Sequence, residues 1–239
     1  MTVWMVPLIL GLVFGSFVVS ASVGLGGSLV MVPTLVLAVG TKEGVALAAL
    51  LLAANNVFKV SVYRRTIPWR KSAPVVLCTI VGAGVGARLL VDAPEILVGV
   101  AVLCSFALTL VMEQVHFEPG RRVASPVLAL GSGATSGFSG TSGPLKGVAI
   151  RNLDLDRMHF VGAASLASFA GDATKTAIYT DAALLDGNSF IVAAVAVPLM
   201  IAGTTTGQLL NNRVGERGFA VLFWSVMTGY SIRILTLIA

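Results

Sequence analysis

Four ionisable residues inside apolar stretches of this chain stand out: Lys59, Lys146, Asp172 and Lys175. A charge in a membrane interior is expensive, so such residues are by default candidates for a transport path. Three are cationic and one is anionic, a balance that suits a negatively charged substrate. Asn56 precedes Lys59 by three residues, and Asp172 precedes Lys175 by three, so each pair shares a helical face. Asp172 either neutralises Lys175 or carries a coupling proton, and the sequence leaves both roles open. The plain alternative for Lys59 and Lys175 is snorkelling, with a long stem in lipid and the ammonium at the interface. For Lys146 the plain alternative is a shallow, interfacial position.

Two glycine-rich stretches stand near these charges. The first is Gly24-Leu25-Gly26-Gly27-Ser28, and the second is Ser139-Gly140-Thr141-Ser142-Gly143. Glycine clusters interrupt a helix, because they lack side chains and carry a high backbone entropy. Breaks inside a membrane expose backbone N–H groups and helix N-termini, which attract anions. Ser28, Ser139, Thr141 and Ser142 add hydroxyl donors. The simpler alternative is that the glycines only permit close helix packing. The expected substrate-binding set is therefore Gly24, Gly26, Gly27, Ser28, Asn56, Lys59, Ser139, Gly140, Thr141, Ser142, Gly143, Lys146 and Lys175, with Asp172 as the candidate proton-coupling group. His116 and His159 are isolated, so no metal is expected. No nucleophile–base pairing, phosphate loop or cofactor fingerprint is present, so neither a cofactor nor an enzymatic activity is expected.

Elements must hold these residues in a bilayer. The 239 residues are 56% hydrophobic and only 11% charged, against roughly 25% charged in soluble domains. The mean hydropathy is +0.92. The apolar runs are long and do not alternate, which predicts an all-α polytopic membrane protein rather than a barrel. The net charge of +5 reflects basic cytoplasmic loops, so no nucleic-acid partner is expected. Expected partners are a small anionic substrate and the lipid bilayer, with a homodimer left open. Cys78 and Cys104 read as small core residues, and Tyr63, Trp69 and Tyr179 as interfacial anchors.

The pattern predicts apolar segments at 3–22 and 29–39 around the first break, then spans at 44–63, 73–91 and 96–112. A second series follows: 126–138 and 145–150 around the second break, then 158–179, 190–210 and 219–237. The segment pair at each break is either a re-entrant hairpin or two broken crossings. The two series match at an offset of 116: Gly15 with Gly131, Gly24 with Gly140, Gly27 with Gly143, Leu29 with Leu145, Asn56 with Asp172, Lys59 with Lys175, and Tyr63 with Tyr179. A drift of five residues then pairs Gly82 and Gly86 with Gly203 and Gly207. The chain thus reads as an N-terminal repeat over 1–112, a cytoplasmic linker over 113–123 and a C-terminal repeat over 124–239. The loop after Tyr63 is strongly basic and hence cytoplasmic, whereas the loop after Tyr179 holds Asp181 and Asp186 and is external. Equivalent loops on opposite sides make the repeats inverted, a signature of secondary transporters.

The run Gly24-Leu25-Gly26-Gly27-Ser28-Leu29-Val30-Met31-Val32-Pro33 resembles the N-terminal motif of the sulfite exporter TauE/SafE family. The stretch Ser139 to Pro144 is similar to that family's second motif. The basic loop after a tyrosine and the two-half layout also match, so the likeness covers nearly the whole chain. It departs where Ser28 stands in place of a usual glycine and where the second motif lacks a full glycine triplet. The resemblance implies a multi-pass protein of the bacterial inner membrane that transports sulfite, sulfonates or related small anions. A passive anion channel and a non-transporting membrane scaffold are the alternatives. If the symmetric lysines serve the path, Lys59→Ala and Lys175→Ala both reduce substrate flux; wild-type rates in both variants would return them to snorkelling.

Overall fold

The computed structural model describes residues 5–23, 28–114, 125–142, 145–207 and 228. These residues are helical almost throughout, with no strand among them. The first glycine break is flanked by α1 (Met5–Val23) and α2 (Ser28–Val39). Then come α3 (Thr41–Tyr63), α4 (Trp69–Asp92) and α5 (Glu95–Gln114). The second break is flanked by α6 (Ser125–Ser139) and α7 (Leu145–Arg151), followed by α8 (Arg157–Asp181) and α9 (Gly187–Gly207). Three of these segments are long and apolar enough to cross a membrane: Thr41–Thr66, Trp69–Asp92 and Gly187–Gly207. The last apolar stretch at 219–237 lies outside the described residues, apart from Thr228.

Of the boundaries that differ from the sequence-based expectation, two have a plain local cause. Helix α3 begins at Thr41, because Gly40 turns the chain with φ 124° directly out of α2. Helix α4 begins at Trp69, so Arg70 and Lys71 lie in its first turn, and the basic connection shrinks to a 3-10 turn at Arg64–Thr66 plus Ile67 and Pro68. Helices α8 and α9 are started by carboxylates. Asp156 accepts the backbone N–H groups of Met158 and His159 at 3.0 Å, and Asp186 accepts that of Ser189 at 2.8 Å. Hydrogen bonds from His159 hold Asp156 below the usual carboxylate range, and the Ser189 hydroxyl, at 2.6 Å, followed by its backbone N–H does the same for Asp186.

Helix α2 is apolar on every side, and Leu29 through Val36 are all buried. A helix of that kind belongs at the centre of a bundle. It packs along α3, with Gly44 of α3 pressed against the backbone of Leu35 and Val36. Small residues permit the closest contact of all, between α4 and α6. Gly82 and Gly86 of α4 face the carbonyls of Leu130 and Ala134, while Gly133 and Gly137 of α6 face those of Thr79 and Ala83. Lipid supplies no hydrophobic drive between helices, so backbone approach of this kind is what joins them. The opposite face of α4 presents Leu77, Val81, Val85 and Leu89, exposed at four-residue spacing and suited to acyl chains.

Two assignments from residue type are corrected by burial. Tyr179 is not an interfacial anchor: its ring is fully buried and its hydroxyl donates to the Gly137 carbonyl. Cys104 is exposed rather than in the core, and Cys78 is only partly buried. Trp69, by contrast, is 59% exposed at the start of α4. Filling the α4–α6 seam will separate the helices. Gly137→Val is expected to destabilise by about 1–3 kcal/mol, the usual range for overpacking. Thermal unfolding in detergent measures it, with Gly11→Ala as the control, since nothing lies within 4 Å of a Cβ built at Gly11.

Candidate functional site

Helices α3 and α8 run against each other and carry the paired polar positions. Asn56 Nδ2 donates to Asp172 Oδ2 at 2.8 Å. The other carboxylate oxygen, Oδ1, holds Lys175 Nζ at 2.7 Å. Lys175 Nζ also donates to Ser136 Oγ on α6 at 2.8 Å. Lys175 is fully buried and Asp172 is 7% exposed, so this is an interior ion pair with both members hydrogen-bonded. The chain Asn56–Asp172–Lys175–Ser136 ties α3, α8 and α6 together.

Beside it lies a cavity of about 100 Å³, lined by Ser28, Leu52, Asn56, Lys59, Ser136, Gly140, Ser142, Lys146, Ser168 and Asp172. Drug-sized pockets run to roughly 300–1,000 Å³; this one is on the scale of a small ion. Four serines and one asparagine supply hydrogen-bonding groups. Two lysines bring positive charge, while the single carboxylate is already neutralised by Lys175. The site is therefore polar and cationic.

Local sequence explains how each group arrives. Leu52, Asn56 and Lys59 recur at helical spacing on α3, as do Ser168 and Asp172 on α8. Gly140 ends α6 with φ 81°, a conformation that favours glycine. A side chain there would also strike Val32 of α2 and Val45 of α3. The second break thus packs directly on the helix that follows the first. Ser28, at the start of α2, and Gly140 and Ser142, after α6, line the same cavity.

A larger cleft of about 490 Å³ adjoins this cavity. Asn55, Asn56, Lys59, Tyr63, Phe160, Ser165, Ser168, Thr204 and Thr205 are among its lining residues. Asn56, Lys59 and Ser168 belong to both spaces, so they form the partition between cleft and cavity. Asn55 Nδ2 is buried without a hydrogen-bond partner.

Of the residues expected from sequence, Ser28, Asn56, Lys59, Gly140, Ser142, Lys146 and Asp172 are gathered at the cavity. Three expected residues stand behind it. Ser139 accepts from Ser105 Oγ at 2.7 Å and donates to the Thr135 carbonyl at 2.8 Å. Thr141 is buried with its hydroxyl unpartnered. Lys175 faces Asp172 and Ser136 rather than the cavity. Gly24, Gly26, Gly27 and Gly143 lie outside the described residues.

Ser136, Ser168 and Leu52 were not singled out from sequence. Their signal was present: Ser168 lies one turn before Asp172, and the offset of 116 pairs it with Leu52. The same offset pairs Ser136 with Ser20. Arg233, within the last apolar stretch, is a further ionisable residue missed in the sequence; it lies outside the described residues.

A family model described as sulfite exporter TauE/SafE matches residues 8–234, nearly the whole chain. No curated protein and no solved structure matches it.

The two lysines of the repeat are not equivalent in place, and their variants will separate. Lys175→Ala leaves the Asp172 carboxylate buried without its counter-charge, which costs about 3–5 kcal/mol. Lys59→Ala removes a half-buried group from a cavity wall and leaves the folded yield near wild type. Size-exclusion profiles and thermal midpoints in detergent check this; equal losses in both variants would contradict it.

Proposed function

The chain belongs to the sulfite exporter TauE/SafE family of membrane transporters, and from that premise we propose that it is a secondary carrier moving sulfite or a small organosulfonate across the bacterial inner membrane by alternating access. One observation carries this reading: a cationic, serine-lined cavity of about 100 Å³ lies between residues of both halves of the chain, behind a partition shared with a much larger cleft. An anion entering the cleft meets Lys59 first. It exchanges its hydration shell for serine hydroxyls and two ammonium groups, which offset the cost of desolvation. The basic residues Arg64, Arg65, Arg70 and Lys71 follow Tyr63 and mark the cleft's side as cytoplasmic.

We read segments 1–112 and 124–239, joined by 113–123, as inverted repeats. Two pairs of contacts support this. Asn56 and Asp172 are 116 residues apart, equivalent under the repeat, and bonded to each other. Groups that are equivalent and touching lie beside a two-fold axis. Gly82 packs on the Leu130 carbonyl, and Gly203 packs on the Phe14 carbonyl. Leu130 is the counterpart of Phe14 at offset 116, and Gly203 that of Gly82 at the drifted register. Each repeat thus sets a glycine-bearing helix against the broken helix of the other.

An asymmetry of burial under that same mapping supports the alternating-access reading. The cleft residues Asn55, Tyr63, Phe160, Val161, Ala164 and Ser165 have as counterparts Gly171, Tyr179, Gly44, Val45, Ala48 and Ala49. All six counterparts are buried, as are Asn55 and Ser165 themselves, so the contrast rests on the half-buried Tyr63, Phe160, Val161 and Ala164. One side of the site is open and the other is packed shut, with Tyr179 bonded across to Gly137 and Lys175 to Ser136. In the opposite state Tyr63 and Lys59 take those roles against Ala21 and Ser20, the counterparts of Gly137 and Ser136.

Two measurements test the carrier reading. Proteoliposomes loaded with sulfite, thiosulfate or sulfoacetate will show flux that saturates with concentration. Flux linear in concentration points instead to a channel, and no flux for any of the three ends the transport reading. In a background lacking Cys78 and Cys104, a cysteine replacing Ala48 will resist external maleimide and become reactive when Tyr179→Phe loosens the closed side. A reactive Ala48→Cys without that second change would contradict the assigned open and closed sides.

A further inference from the structure

We propose that this site selects its substrate by valence, taking divalent oxyanions ahead of monovalent or zwitterionic ones, and that Lys146 is the residue setting the preference. The proposal rests on the carrier reading above and adds what the cavity itself discriminates.

The argument is a charge balance. Among the described residues, the ionisable ones lining the cavity are Lys59, Lys146 and Asp172. Asp172 is spent: one oxygen holds Lys175 at 2.7 Å and the other accepts from Asn56 at 2.8 Å. Two ammonium groups therefore remain without a carboxylate of their own in the cavity wall. Residues 24–27 and 143–144, next to the lining residues in sequence, are glycine, leucine and proline and add no side-chain charge. A bound dianion balances these two ammonium groups. A monoanion leaves one positive charge in a low-dielectric interior, and a zwitterionic sulfonate leaves two. Uncompensated charge there is the costliest state available. At about 100 Å³ the cavity is on the scale of a single small oxyanion.

The serines do not discriminate by valence. A hydroxyl rotates to donate to any oxyanion, whatever its charge. Lys59 also lines the outer cleft, so its loss affects capture as well as holding. Lys146 lines the cavity and is absent from the cleft lining. Its counterpart at offset 116 is Val30, which is buried in α2. One half alone thus supplies the second charge. Lys146→Val gives both positions the same apolar side chain and removes one unit of cavity charge.

The test is equilibrium binding to purified full-length protein by calorimetry, at constant ionic strength. Sulfate and thiosulfate are the divalent probes; methanesulfonate and formate are the monovalent ones. Wild type is expected to bind the divalent pair on the order of tenfold tighter or more, from the size of one charge–charge term in a protein interior. Lys146→Val is expected to lose that preference by weakening the divalent ions while changing the monovalent ones little. Lys146→Arg, which keeps the charge, is expected to retain it. Should the valine variant fail to elute as a folded species, Lys146→Gln carries the comparison. Equal affinities across the four probes in wild type, or an unchanged ratio on loss of the Lys146 charge, overturn the valence rule while leaving the carrier reading intact. Binding of none of the four overturns both.

Discussion

A lysine and an aspartate sit in the interior of this membrane protein, and the arrangement around them follows from their needs. Lys175 is wholly removed from solvent, which is tolerable only if its ammonium is paired and hydrogen-bonded. Asp172 supplies the charge and Ser136 a second acceptor. Asp172 in turn requires a donor for its remaining oxygen, and Asn56 provides it from α3. Three helices are thereby fixed relative to one another by a single polar chain. That chain crosses from one half of the sequence to the other, so neither half can satisfy its interior alone.

The same pair determines what the neighbouring cavity is. Had Asp172 been free, it would have cancelled one of the cavity lysines and repelled an oxyanion. Committed to Lys175, it leaves Lys59 and Lys146 as the effective charge of the site. The interior ion pair and the charge of the cavity are thus coupled through one carboxylate. The two lysines thus differ in place: Lys175 pairs with Asp172 in the interior, and Lys59 lines the cavity and the cleft.

Cavity size is set by a different constraint, the closeness of the helices. Along α4 and α6, glycines bring backbone against backbone, and α6 ends at Gly140, whose positive φ and lack of a side chain let the break rest on α2 and α3. Bulkier residues at these positions would hold the helices apart and enlarge the space between the breaks. Close packing without a hydrophobic drive depends on small residues, and here it leaves room for an ion and little else.

Much of this was legible in the chain. Hydropathy determined the helical membrane class, since lipid admits few other ways to satisfy a backbone. The glycine runs marked both breaks, and the rare charges inside apolar runs marked the site: Ser28, Asn56, Lys59, Gly140, Ser142, Lys146 and Asp172 meet at one cavity. The tertiary structure decided which of those groups face the cavity and which stand behind it. Lys59 and Lys175 are alike in sequence context, yet only contact with Ser136 and Asp172 distinguishes the buried lysine from the half-buried one. Tyr179 had the composition of an interfacial anchor, and only the nearness of the Gly137 carbonyl gave it an interior role. Sequence periodicity fixes which residues share a helix face; what that face meets depends on partners more than a hundred residues away, and those are set by packing.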